Sequence, residues 1–124
     1  MTKTLFALSL LGALLVGCVT NTVTNLTATT QPRDSTGLYR VEYEWDTTQQ
    51  TVRPDTITPT VLVGFDTYDM KPVLRTTNRW EAFIPVPASK DQIIYQFKVD
   101  YDYTRFGKPG KASKLSPEYK LNIK

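Results

Sequence analysis

Ile93-Ile94-Tyr95-Gln96-Phe97-Lys98-Val99-Asp100-Tyr101-Asp102-Tyr103 is the stretch on which the fold turns. Ile93, Tyr95, Phe97, Val99, Tyr101 and Tyr103 take every second position, and Ile94, Gln96, Lys98, Asp100 and Asp102 take the places between them. A period of two is what a strand needs when one face is buried and the other wet. The same parity recurs elsewhere. Tyr39, Val41, Tyr43 and Trp45 alternate with Arg40, Glu42 and Glu44; Trp80, Ala82, Ile84 and Val86 alternate with Arg79, Glu81, Phe83 and Pro85; Tyr119, Leu121 and Ile123 alternate with Lys120 and Asn122. Thr60 to Phe65 is a short apolar, β-branched run, and Met70 to Leu74 is a weaker candidate that Pro72 demotes to an edge. No window beyond the N-terminal segment carries a helical stripe. Pro, Gly, Asp and Asn punctuate the runs, so the pattern predicts an all-β domain over residues 38–124: a single antiparallel sandwich of six or seven strands sharing one core.

The start of the chain reads differently. Met1-Thr2-Lys3-Thr4 is weakly positive, and Leu5 to Val16 is an apolar run with the length of a signal-peptide core, too short for an ordinary spanning helix. It ends in Leu15-Val16-Gly17-Cys18, which resembles the lipobox of bacterial lipoproteins. The resemblance implies that Leu15, Val16 and Gly17 are read by signal peptidase II, that residues 1–17 are removed, and that Cys18 receives a diacylglycerol and an N-acyl lipid. The mature protein is then expected to be lipid-anchored in a membrane rather than spanning it, since two or three acyl chains hold far more firmly than one. Val19, where Asp would favour inner-membrane retention in lipoproteins, makes the outer membrane the expected location, with the face left open. Residues 18–37 hold the lipidated cysteine and a Thr-rich segment. Either this segment is a flexible tether or Val23 to Thr29 forms a first edge strand, closed by a turn through Gln31 to Gly37.

Composition narrows the chemistry. The 124 residues include no histidine and one cysteine, which excludes intrachain disulfides, Cys/His zinc sites and His-dependent nucleophile systems. Glu42 with Glu44, Asp66 with Asp69, and Asp100 with Asp102 are spaced for paired-carboxylate chemistry, but alternation on a wet strand face gives the same spacing without a site. Asp66-Thr67-Tyr68-Asp69 lacks the acidic density of a calcium loop and reads as a turn. No catalytic residue, metal ligand or cofactor is expected beyond the lipid on Cys18. From Arg105 onward six basic residues face Glu118 alone, and Gly107 to Lys114 reads as a mobile basic loop rather than a phosphate-binding one.

Arg79-Trp80-Glu81, the prolines Pro85 and Pro87, and Tyr95-Gln96-Phe97-Lys98-Val99-Asp100 resemble the second half of immunoglobulin-like early-set domains, including the glycogen- and starch-binding type. The resemblance implies an immunoglobulin-like sandwich. In the glycan-binding members a second Trp follows the Val-Asp step, whereas Tyr101-Asp102-Tyr103 stands here, so no binding residues are implied.

Seven aromatics, Tyr39, Tyr43, Trp45, Trp80, Tyr95, Phe97 and Tyr119, share the apolar parity of their strands and are expected in the core. Tyr101 and Tyr103 are expected to emerge where their strand leaves it. The residues left for surface contact are Tyr68, Phe83 and Phe106, with Lys108, Lys111 and Lys114 on the basic loop. The expected function is a non-enzymatic interaction or structural module of the cell envelope, meeting a protein or envelope polymer and the membrane through its lipid. Export argues against nucleic acid. A glycan-binding module and a pilot lipoprotein for secretion or surface assembly are the alternatives.

Overall fold

The computed structural model describes residues 19–124. The expected signal peptide with Leu15, Val16 and Gly17, and the expected lipidation site Cys18, lie outside the described residues. Each alternating run becomes a strand whose apolar parity faces inward. In chain order the strands are β1 (Asn21–Asn25), β2 (Thr30–Gln31), β3 (Leu38–Thr47), β4 (Thr58–Val63), β5 (Asp66–Asp69), β6 (Lys71–Pro72), β7 (Arg79–Pro85), β8 (Gln92–Arg105), β9 (Lys108–Leu115) and β10 (Tyr119–Ile123), with a 3-10 turn at Pro54–Thr56. One sheet has the order β1-β3-β7-β6; the other has β2-β10-β8-β4-β5, with β9 also paired to β8. β10 borders the first part of β8 and β9 the remainder, so together they make one edge. β2 joins that edge in parallel.

In strand-letter terms the first sheet is ABED and the second is GFC extended by one strand beyond C. This is the order of an immunoglobulin-like sandwich.

Aromatic rings fill the space between the sheets. Tyr43 of β3 stacks on Phe97 of β8 with ring centroids 4.6 Å apart. Trp45 meets Tyr101 at 4.8 Å, and Trp80 sits 5.6 Å from Tyr43. Val41, Val61, Ile84, Val99 and Leu121 close the remaining gaps and are fully buried. With no cysteine pair available, these contacts are what join the two central strands across the core.

Five expectations need correction. Ten strands form instead of six or seven, because the short β2, β5 and β6 and the long β9 lack an apolar alternation of their own. The Thr-rich segment does supply an edge strand, but over Asn21–Asn25 rather than Val23 to Thr29. The Asn25 side-chain oxygen accepts the Thr27 N–H at 3.0 Å, a local bond that competes with the ladder, and the chain then crosses to the other sheet as β2. Residues 108–115 are strand β9, not a mobile loop, because the open edge of β8 pairs them from Lys98↔Leu115 to Arg105↔Lys108. Asp66–Asp69 is likewise a strand rather than a turn, pairing with β4. Tyr101 does not emerge from the core; it is buried against Trp45, while Tyr103 is half-buried.

Candidate interaction surfaces

Two hairpins place bulky apolar side chains at opposite ends of the sandwich. The first joins β4 to β5 through Gly64 and Phe65 alone, since Val63 pairs with Asp66. Gly64 has φ 61°, the Gly-first arrangement that gives a two-residue hairpin the twist of its strands. Phe65 is fully exposed at the tip. Beside it lies an open concavity of roughly 690 Å³ whose lining includes Leu62, Tyr68, Ile94, Lys90 and Glu118. A half-exposed isoleucine, an exposed ring and charges of both signs, Asp66 and Glu118 against Lys90, suit the side chains of another protein better than a small polar ligand.

The second hairpin joins β8 to β9 through Phe106 and Gly107. Both have positive φ, 49° and 74°, as a type I′ turn requires. For a phenylalanine that conformation is uncommon, and it leaves the ring 93% exposed, with the Arg105 guanidinium 5.6 Å from its centroid. The β8 arm of the hairpin is braced by the loop that precedes β4. The Arg53 N–H donates to the Asp102 carbonyl at 2.9 Å, the Thr104 N–H donates to the Thr51 carbonyl at 3.1 Å, and the Thr51 hydroxyl donates to the Thr104 carbonyl. Across the hairpin, Gly110 stands opposite Tyr103, and a Cβ at that position would lie 2.5 Å from the tyrosine ring.

The residues singled out from sequence do not form one site. Phe106, Lys108 and Lys111 lie on the β8–β9 hairpin and are exposed. Lys114 pairs with Val99, so it falls on the inward parity of β9 and is half-buried, away from the others. Tyr68 packs against the core while lining the concavity at the far end. Phe83 is 58% exposed on the outer face of the first sheet, opposite Arg40. That face is a solvated ion network: Arg40 bonds Glu81 at 2.6 Å and meets Glu42 at 3.3 Å.

The paired carboxylates have ordinary partners. Glu44 and Asp46 both accept from the Asn78 amide at 3.1 Å, and Asp100 lies 3.7 Å from Lys98. Asp66 and Asp69 sit at opposite ends of β5. Among the described residues no cluster of three or more Asp, Glu, Cys or His side chains is placed to hold a metal ion. Ionisation is perturbed at two points. Burial, and then the nearby Asp100, push the Tyr43 phenol well above its ordinary value, while hydrogen bonds from the Thr36 backbone and hydroxyl hold Asp34 below the ordinary carboxylate value. Neither belongs to a cleft.

Sequence reasoning missed Phe65, Leu74 and Ile94. Phe65 looked like the end of an apolar strand, yet Gly64-Phe65-Asp66 after a β-branched run carries the signal of a tight turn. Ile94 falls on the wet parity of its strand, which already points it outward, whereas Leu74 carries no such signal, because exposure of a single apolar residue in a loop depends on what the fold brings over it.

Comparison with known proteins adds one likeness. A structure of murine CRIg aligns with 83% of this chain and 98% of its own, at 13% identity and a TM-score of 0.45. No protein-family model and no curated protein sequence matches. The fold therefore rests on the strand order described above.

Proposed function

We propose that this protein is an envelope lipoprotein, acylated at Cys18 and held in the outer membrane, whose sandwich is a non-enzymatic docking module. The observation that carries the docking reading is Phe65: a fully exposed ring on a two-residue turn, beside an open and partly apolar concavity. Large rings fixed on short turns lose little conformational entropy on binding, which is why aromatic anchors dominate protein contacts. Phe65 is level with the beginning of β8, whereas β1 begins level with Tyr101, about 26 Å further along that strand. A partner at Phe65 would thus meet the end of the module remote from the anchor.

The glycan alternative has less support, since Tyr39, Tyr43, Trp45, Trp80, Tyr95 and Phe97 are all buried and leave no flat aromatic platform. A pilot lipoprotein is a special case of the docking reading. The test is a photo-crosslinking residue at position 65 in intact envelopes, with a second at exposed Ser113, away from the concavity, as control. A discrete protein adduct from position 65 alone is expected. Equal, diffuse labelling from both positions would remove the docking site, and absence of palmitate from wild-type Cys18 would remove the lipoprotein reading.

A further inference from the structure

Three loops and the departing N-terminus meet at the end of the sandwich opposite Phe65. The Thr20 N–H donates to the Thr48 hydroxyl at 2.8 Å and its carbonyl accepts the Thr48 N–H at 3.0 Å, so the chain is fixed to the body from Thr20 onward. Asn21 pairs with Thr47 and donates to the Tyr101 hydroxyl at 3.1 Å. Beyond Tyr101 the β8–β9 hairpin continues to Phe106. The β6–β7 turn lies at the same end, since the Trp45 N–H donates to the Asn78 carbonyl at 3.0 Å. At its tip Leu74 is 89% exposed, beside Arg75 at φ 66°. Arg75 and Phe106 are the two non-glycine residues with positive φ among those described, and both sit at this end. Arg75 stands next to the exposed Leu74, and Arg53, Arg105 and Lys108 belong to the hairpin end that carries Phe106, all of them exposed. The acids here are Glu44 and Asp46, which both accept from Asn78, Asp102 on the hairpin opposite Lys111, and Asp55 in the 3-10 turn.

We propose that this end is a membrane-apposed face: Leu74 and Phe106 enter the headgroup region of the leaflet that holds the lipid anchor, and Arg53, Arg75, Arg105 and Lys108 bind its phosphates. The inference rests on the lipoprotein reading for the anchor, but its geometry is independent of it. Only Val19 separates Cys18 from the fixed Thr20, a span of about 7 Å at full extension. The hairpin tip extends about 17 Å past Tyr101. An anchor on so short a lead brings the hairpin to the membrane surface. Each exposed apolar tip has a base beside it, Arg75 next to Leu74 and Arg105 next to Phe106, and an apolar tip with an adjacent base is the chemistry that an anionic phospholipid surface selects.

The test uses the exported protein with vesicles of phosphatidylcholine alone or mixed with phosphatidylglycerol, in single Trp variants Phe106→Trp, Leu74→Trp and Phe65→Trp. Native Trp45 and Trp80 are buried and give a constant background. Brominated acyl chains are expected to quench positions 106 and 74 and to leave position 65 unaffected. Vesicle affinity of residues 19–124, which carry neither the apolar run 5–16 nor the anchor, should fall about fivefold for each of Arg75, Arg105 and Lys108 changed to Gln, and only where phosphatidylglycerol is present. Palmitate labelling reports the anchor separately. Labelled protein whose positions 106 and 74 keep water-like emission would overturn this inference and leave the lipoprotein reading standing, with a soluble partner or a second copy as the occupant of this end. Unlabelled protein whose positions 106 and 74 are quenched on anionic vesicles would do the reverse.

Discussion

The most constrained single residues lie where the two sheets meet. Trp45 is 4% exposed, and its indole Nε1 has no hydrogen-bond partner, so the ring contributes through packing while its N–H is a buried cost. Trp45→Ala should therefore cost about 3 to 5 kcal/mol, as large core truncations do, whereas Trp45→Phe should cost clearly less because it also removes the unpartnered donor. Urea midpoints of the two variants check this; equal losses would mean that the indole N–H contributes favourably. Tyr43 gives a pH test. Its phenol is pushed upward in the folded protein by burial and by Asp100, and its hydroxyl donates to the Lys98 carbonyl at 3.4 Å. The unfolded phenol ionises near 10.0 while the folded one remains protonated. Unfolding above that pH therefore releases a proton, and the contribution to stability, complete below pH 10, declines as pH rises beyond it. Tyr43→Phe is expected to lose part of this alkaline decline, and denaturation midpoints collected across the alkaline range read it directly.

At the level of elements, what the sequence revealed depended on whether a strand carries its own pattern. β3, β7, β8 and β10 were legible because each buries one face: Tyr39, Tyr43, Trp45, Trp80, Tyr95 and Phe97 fell inside as parity requires, Phe83 faces out by the opposite parity, and Tyr119, expected in the core, is half-buried against it. β9 was not legible. Lys108-Pro109-Gly110-Lys111-Ala112-Ser113-Lys114 has the composition of a loop, and its strand form comes from the open edge of β8 and from Tyr103 lying over Gly110. The exposed Phe106 was legible by loop position, while Phe65 was hidden because a turn residue and a strand end look alike in an apolar run. Gly110 is accordingly the residue on which the hairpin depends. Gly110→Val should displace the Tyr103 ring and raise amide exchange across residues 103–110, leaving exchange in β3 and β7 unchanged. The junction of β9 and β10 depends on Ser116, 3% exposed, whose hydroxyl accepts the Phe97 N–H at 2.8 Å while its own N–H donates to the Phe97 carbonyl at 2.9 Å. Ser116→Ala leaves the Phe97 N–H unpaired in the interior, a loss of about 1 to 3 kcal/mol that thermal or chemical denaturation can measure.

For the whole molecule, the behaviour of the Thr-rich segment decides whether the domain is suspended on a leash or seated at its attachment point. A free run of some eighteen residues would let the body wander about 23 Å from its anchor. The fold removes that freedom by binding β1 to both sheets at once. β1 pairs with β3 along its full length, Asn21 donates across the sandwich to Tyr101, and Asn25 donates to the Tyr95 hydroxyl at 2.9 Å. Val23 packs against the core from the same strand. The link to β2 is held as well, since the Leu26 N–H donates to the Glu42 carbonyl at 2.9 Å and the Thr27 hydroxyl accepts the Glu42 N–H at 3.0 Å. A protease needs an extended, unpaired stretch in its cleft, and here it would have to peel β1 off and leave the Tyr95 and Tyr101 hydroxyls without these partners. Cleavage across residues 22–30 should therefore be slow, and its rate should rise with denaturant in step with global opening rather than stay flat. Limited digestion by a broad-specificity protease, followed by intact-mass measurement, reads both the sites and the rates. Rapid clipping within residues 22–30 while β3 and β8 stay protected would show β1 to be loosely held, and the short, rigid attachment inferred for the membrane-facing end would then be lost with it.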